Sequence, residues 1–156
     1  MLRVNDILLA VEALTQERFP SLTAYQNVVR KGFKRPSFLT EVGKQTMEDA
    51  TRWTVDRTAQ VKITFFETVD DYHDSQIETL SDRLTVALEL FSCAAIPVPE
   101  GDRYLDISGT AGEVFNDYAE LTFTLSWQDD RDITPVASTP LEDYDISVAP
   151  GEREEE

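Results

Sequence analysis

Between Trp53 and Phe65 the chain alternates with period two, and this run restricts the fold more than any other. Trp53, Val55, Ala59, Val61, Ile63 and Phe65 share one face, while Thr54, Asp56, Thr58, Gln60, Lys62 and Thr64 share the other. A strand with one apolar and one polar face must be covered on one side only, so a sheet with helices or a second sheet on that side is required. Arg57 interrupts the apolar face near its middle. At ~3.3 Å per residue, Thr51 to Phe66 would reach roughly 50 Å, well beyond a usual strand. Two readings stay open: one long strand that overhangs its sheet and offers the overhang to a neighbour, or two ordinary strands separated by a bulge near Arg57.

The partners of this strand follow from periodicity. Val4, Ile7, Leu8, Val11 and Leu14 recur at helical spacing, with Asn5 as a cap, Asp6 in the first turn and Phe19-Pro20 as the stop. Ile77, Leu80, Leu84, Leu88 and Phe91 form a second helical stripe. Ser75 and Glu78 are placed as its capping box, and Ala94-Ala95 with Pro97 as its end. Tyr25–Val29, Ser37–Val42, Arg103–Ser108 and Ala119–Trp127 read as strands. Gly43–Asp49 reads as a turn or exposed ribbon tip. Asn116-Asp117 suits a tight hairpin turn, and Gly109 and Gly112 suggest an irregularity before it. The expected order is α-β-β-β-α-β-β: an α+β domain with two amphipathic helices on one face of a mostly antiparallel sheet.

Charge divides the chain. Residues 1–44 hold seven Lys/Arg against four Asp/Glu, and the rest hold seven against twenty-six, for a net charge of -16. Residues 1–129 are expected to form a single domain, and 130–156, with three prolines and a Glu-rich end, an acidic flexible tail. Within that tail Tyr144, Ile146 and Val148 alternate, a pattern able to add as a strand to a partner. No apolar run is long enough to span a bilayer, and Asp6 and Glu12 break any signal-peptide core. With the lone Cys93, this points to a cytoplasmic origin.

Catalytic chemistry finds little to work with. Cys93 and the single His73 fall at opposite ends of the second helix, roughly 30 Å apart at ~1.5 Å per residue, too far for a dyad. Cys93 reads as a small buried hydrophobe and His73 as a solvated turn residue. Asp70-Asp71-x-x-Asp74 has the spacing of a Mg²⁺-diphosphate motif, but that motif belongs on a helix of all-helical enzymes, and here it precedes a helix. Asp129-Asp130-Arg131-Asp132 lacks the Gly and distal Glu of a Ca²⁺ loop and reads as a solvated charge run. With no phosphate-cradling Gly loop and no Cys/His cluster, neither a cofactor nor a metal is expected.

Arg30, Lys31, Lys34 and Arg35 concentrate positive charge between Val28 and Val42, on a connection punctuated by Gly32 and Pro36. Nucleic-acid binding with Phe33 and Phe38 stacking is opposed by the negative charge of the rest of the chain. A solvated loop and a protein–protein contact anchored by Phe33 both remain. The contact reading draws in Arg30, Lys31, Phe33, Lys34 and Arg35, and with them Trp53 and Arg57 on the long β run. The charge asymmetry favours self-association, in which the basic patch of one copy meets an acidic patch of the next.

The piece Gly32-Phe33-Lys34-Arg35-Pro36-Ser37-Phe38 resembles the "Gly-Phe-x-Arg-Pro-Ser-Phe" stretch of the small tail terminator (tail completion) proteins of tailed bacteriophages and prophages. The order and length of elements from Leu2 to Asp129 are similar to that family as well. The resemblance implies a structural virion protein with no enzymatic activity. Such a subunit would form a homo-oligomeric, hexameric ring at the head-proximal end of the tail, after assembly in the host cytoplasm. The ring would cap the tail tube protein, stop its polymerisation, and meet a head-completion (neck) protein and, in contractile tails, the sheath protein. DNA would pass through the lumen without specific binding, and no membrane is involved. A head–tail adaptor of similar size, or an acidic DNA-mimicking, host-targeting protein, are the competing expectations.

Overall fold

The computed structural model describes residues 2–29, 31–68, 77–93, 95–98 and 103–131. Eight elements follow in the order α1 (Val4–Arg18), β1 (Thr23–Gln26), β2 (Ser37–Asp49), β3 (Thr54–Phe66), α2 (Ile77–Leu90), β4 (Ala95–Val98), β5 (Arg103–Val114) and β6 (Tyr118–Asp130). The strands form one sheet in the order β1-β2-β3-β6-β5-β4, antiparallel except for the β1/β2 pair.

Alternation decides which face is covered. Val55, Ala59, Val61, Ile63 and Phe65 of β3 lie opposite Asp129, Leu125, Phe123, Leu121 and Ala119 of β6, and all are buried. Ile7, Ala10 and Val11 of α1 and Leu80, Leu84 and Ala87 of α2 join these residues in one hydrophobic cluster. Both helices therefore pack on the same face, and the α+β two-layer expectation holds at that level. Phe91 stacks on Phe123 at 4.7 Å, and Phe19 meets Phe65 edge-on at 5.4 Å. At Gly112 an added Cβ would stand 2.6 Å from Leu84, so the absence of a side chain lets α2 settle onto β5.

Several local expectations change. The long β run is one strand: β3 pairs with β6 at every position from Thr54 to Phe66 and with β2 along nearly all of its length. It is central and does not overhang. The irregularity expected near Arg57 sits in the neighbour, as a bulge between Val42 and Gln45. Of the two readings of Gly43–Asp49 the exposed ribbon holds and the turn does not: the segment is the largely exposed second half of β2, and the turn falls at Ala50–Trp53. There Thr51 Oγ1 accepts from the backbone N–H of Trp53 (3.1 Å) and Thr54 (3.0 Å). β1 begins at Thr23 rather than Tyr25 and stops before Asn27, whose φ of 64° leaves the β region.

A strand absent from the expected order is β4. Ile96 and Val98 are buried, and Pro97 points outward on an edge strand, where a missing N–H removes no ladder bond. α1 starts at Val4, and Asp6 accepts from the backbone N–H of Arg3 at 3.2 Å, so Asn5 lies inside the first turn and does not cap it. Ile77, expected on the apolar stripe of α2, is 47% exposed. Asn116-Asp117 is indeed the hairpin turn, closed by the Phe115 N–H to Tyr118 O bond at 2.8 Å. The irregularity before it lies at Gly109, with φ 65°. Ser75, the Asp70–Asp74 motif, His73 and the acidic tail from residue 132 lie outside the described residues.

Candidate assembly surface

The basic connection folds back on its own domain at two positions. Phe33 is half-buried, 4.8 Å from Phe66 and 6.2 Å from Tyr25 between ring centroids. Arg35 lies over the Phe33 ring at 4.9 Å and the Phe66 ring at 5.4 Å, and its Nη1 donates to Glu67 O at 3.0 Å. It also reaches the Asp117 carboxylate at 3.9 Å. The Lys34 backbone N–H donates to Tyr25 Oη at 3.0 Å, while the Lys31 and Lys34 side chains are exposed. The aromatic and guanidinium groups thus brace the connection, which contains a cis Arg35–Pro36 bond, and leave the two lysines outward. Arg30 lies outside the described residues.

Trp53 and Arg57 sit at the other end of the β2–β3 ribbon and differ sharply. Trp53 is 58% exposed in the turn, with the Arg52 guanidinium 5.0 Å above its ring. Arg57 is 8% exposed and points into the covered face. Its Nη1 donates to Asp129 Oδ2 at 3.0 Å and to Leu2 O at 2.6 Å, and the guanidinium lies 5.0 Å from the Trp127 ring.

Asp129 gathers this end of the molecule, and the solvated reading of its charge run is corrected here: its side chain is buried. Besides Arg57, its oxygens accept from Trp127 Nε1 at 2.9 Å, Leu2 N–H at 3.2 Å and Arg103 Nη1. The cluster ties the segment before α1 to β3, β5 and β6. Burial pushes the Asp129 pKa upward and is the largest single influence. Together the bonds from Arg103, Trp127, Arg57 and Leu2 outweigh it and bring the group from 3.8 down to about 2. Asp130 closes β6, and Arg131 pairs with Asp49 and donates its N–H to Trp53 O at 2.7 Å. The signal in the sequence was the alternation itself: Asp129 continues the face of Leu125 and Trp127, and Arg57 is the one cation on the apolar face of β3.

Cys93 is exposed, not buried, because it falls in the turn after α2, where Sγ donates to Ala95 O at 3.4 Å. Among the described residues no group of three or more His, Cys, Asp or Glu is placed to hold a metal ion. No helix described is long and apolar enough to cross a membrane.

The face of the sheet away from the helices is broad and polar. Cross-strand registers place Glu41, Glu48, Asp56, Asp106, Glu113, Glu120 and Asp130 on it, against Lys44 and Lys62. Lys62 approaches Glu120 at 3.5 Å, and Gln128 Nε2 donates to Asp56 at 3.1 Å. Threonines fill much of the remainder: Thr46, Thr58 and Thr124, with Lys44 and Gln60, line one shallow depression. An acidic sheet of this kind repels polyanions.

The described residues thus form a two-layer scaffold with a charged, hydrogen-bonding sheet face and a basic corner. Residues 6–137 match the family model of the phage tail terminator protein, and the chain belongs to that family, a family of structural tail proteins. A search of curated proteins found no match. One solved structure is similar over 85% of this chain and 99% of its own, with 14% identity and a TM-score of 0.42.

Proposed function

We propose that this chain is the subunit of a closed ring, hexameric by the resemblance noted above, that caps the head-proximal end of the phage tail tube. The ring halts tube polymerisation and presents its outer surface to the head-completion protein, and to the sheath where the tail contracts. The family match over residues 6–137 carries this reading. The acidic, helix-free face of the sheet supports it: turned toward the lumen, that face lets DNA pass by repulsion, without a binding site. The exposed Lys31 and Lys34 and the exposed Trp53 are the contact groups proposed for the neighbouring subunit or the tube. Arg35 and Arg57 support that surface from within through the bonds described above.

Reversing Lys31 and Lys34 to Glu tests the contact. Neither side chain is buried, so the melting temperature should stay within a degree or two of the parent. Rings measured by size-exclusion chromatography with light scattering should be lost, and tails should be overlong or headless by electron microscopy. Normal tail length and infectivity in that variant would remove these lysines from the interface.

A further inference from the structure

Two half-open edges flank the sheet. β1 covers β2 only from Ser37 to Thr40, and β4 covers β5 only from Arg103 to Asp106. Among the described residues nothing pairs with the outer side of β2 from Glu41 to Asp49, or of β5 from Ile107 to Val114. These are stretches of similar length, on opposite sides of the sheet, with unsatisfied ladder groups. Three successive antiparallel pairings separate β2 from β5, so the two run in opposite directions.

We infer that the free half of β2 in one copy pairs antiparallel with the free half of β5 in the next, with Lys44 opposite Glu113. This rests on the ring proposed above and specifies how the ring closes. Both side chains lie on the polar face: Lys44 lines a depression with Thr46 and Thr58, and Glu113 lines one with Glu120 and Thr122. In this register, with the Gly109–Thr110 bulge opposite Met47, Glu48 and Asp49 meet Ser108 and Ile107, so no like charges face each other. The short strands act as stops. β1 of the first copy ends where the partner copy's β5 ends, and β4 of the second begins where β2 of the first copy has finished, so slippage in either direction drives one element into another.

The stagger fits a closed barrel. Leu39, Thr64, Glu120 and Glu113 lie in one row across the sheet. Because Gly43 and Lys44 together oppose Gln60, four residues from Thr64, setting Glu113 beside Lys44 shifts each copy by four steps, about 14 Å at ~3.4 Å per residue. Four strands at ~4.8 Å spacing span about 19 Å, which gives a tilt of about 36°, within the 35–45° of closed barrels. The bulges at Gly43–Lys44 and Gly109–Thr110 supply the extra twist such closure needs.

The test uses the full chain carrying Cys93→Ser, Lys44→Cys and Glu113→Cys, oxidised as rings and run on a denaturing gel. The expected result is a ladder of covalent oligomers ending at the ring number, absent from either single-cysteine variant. A second arm reads charge: Lys44→Glu should abolish rings at a concentration where the parent forms them, and adding Glu113→Lys should restore them. Rings without cross-links or charge rescue, whether water or the segment after Arg131 covers the edges, overturn the pairing and leave the ring intact. A parent chain that stays monomeric even on purified tail tubes overturns the ring, and this pairing with it.

Discussion

Asp129 is the residue on which one end of the molecule depends. Removing it leaves Arg57 charged in a buried site without its carboxylate, a change that typically costs about 3–5 kcal/mol. Asp129→Asn should lower thermal stability by that order in calorimetry at neutral pH. The acid limb gives a second readout. A carboxyl whose pKa falls from 3.8 to about 2 on folding contributes its full stabilisation above pH ~4 and loses it as pH drops through ~2. That amounts to about 2 kcal/mol at 1.36 kcal/mol per unit. Denaturant titrations should show the parent losing this amount between about pH 4 and pH 2, and Asp129→Asn lacking that component. Parallel acid curves for the two proteins would remove Asp129 from the acid response.

The second helix and the strand beneath it offer a sharper test of packing than sequence periodicity could. Leu84 and Leu88 share the stripe, yet Leu84 is buried over Gly112 while Leu88 is only half-buried. Leu84→Ala should cost about 2–5 kcal/mol and Leu88→Ala clearly less, measured by urea unfolding. Gly112→Ala should cost about 1–3 kcal/mol by pressing into Leu84. Equal losses at the two leucines would mean that α2 is rotated on the sheet. Long alternation made β3 and β6 legible, and 3.6-residue periodicity made both helices legible. What escaped was short or locally masked. β4 has only two inward residues, beside a proline that resembles a helix stop. Gly43 looked like a turn because a bulge and a turn use the same residue. Asp129 was hidden because its neighbours Asp130, Arg131 and Asp132 suggest a solvated run, although its place on the strand set its burial. Phe33 and Arg35 were legible as a cluster, but their internal stacking on Phe66, more than thirty residues away, was not.

For the whole molecule, the two faces of the sheet divide the work. One holds the helices and the core; the other is an acidic expanse bounded by open edges. The core of a subunit built this way is covered by its own helices, yet among the described residues two stretches of backbone lack ladder partners. Assembly can then proceed without refolding, and oligomer formation should leave far-ultraviolet circular dichroism almost unchanged. A large gain in signal on ring formation would show that an element folds only in the ring. The exposed Cys93 after α2 has a practical consequence, since the chain contains a single cysteine. One maleimide dye per chain then makes each particle its own census, because the number of photobleaching steps under a microscope reads out how many copies stand at the end of a single tail.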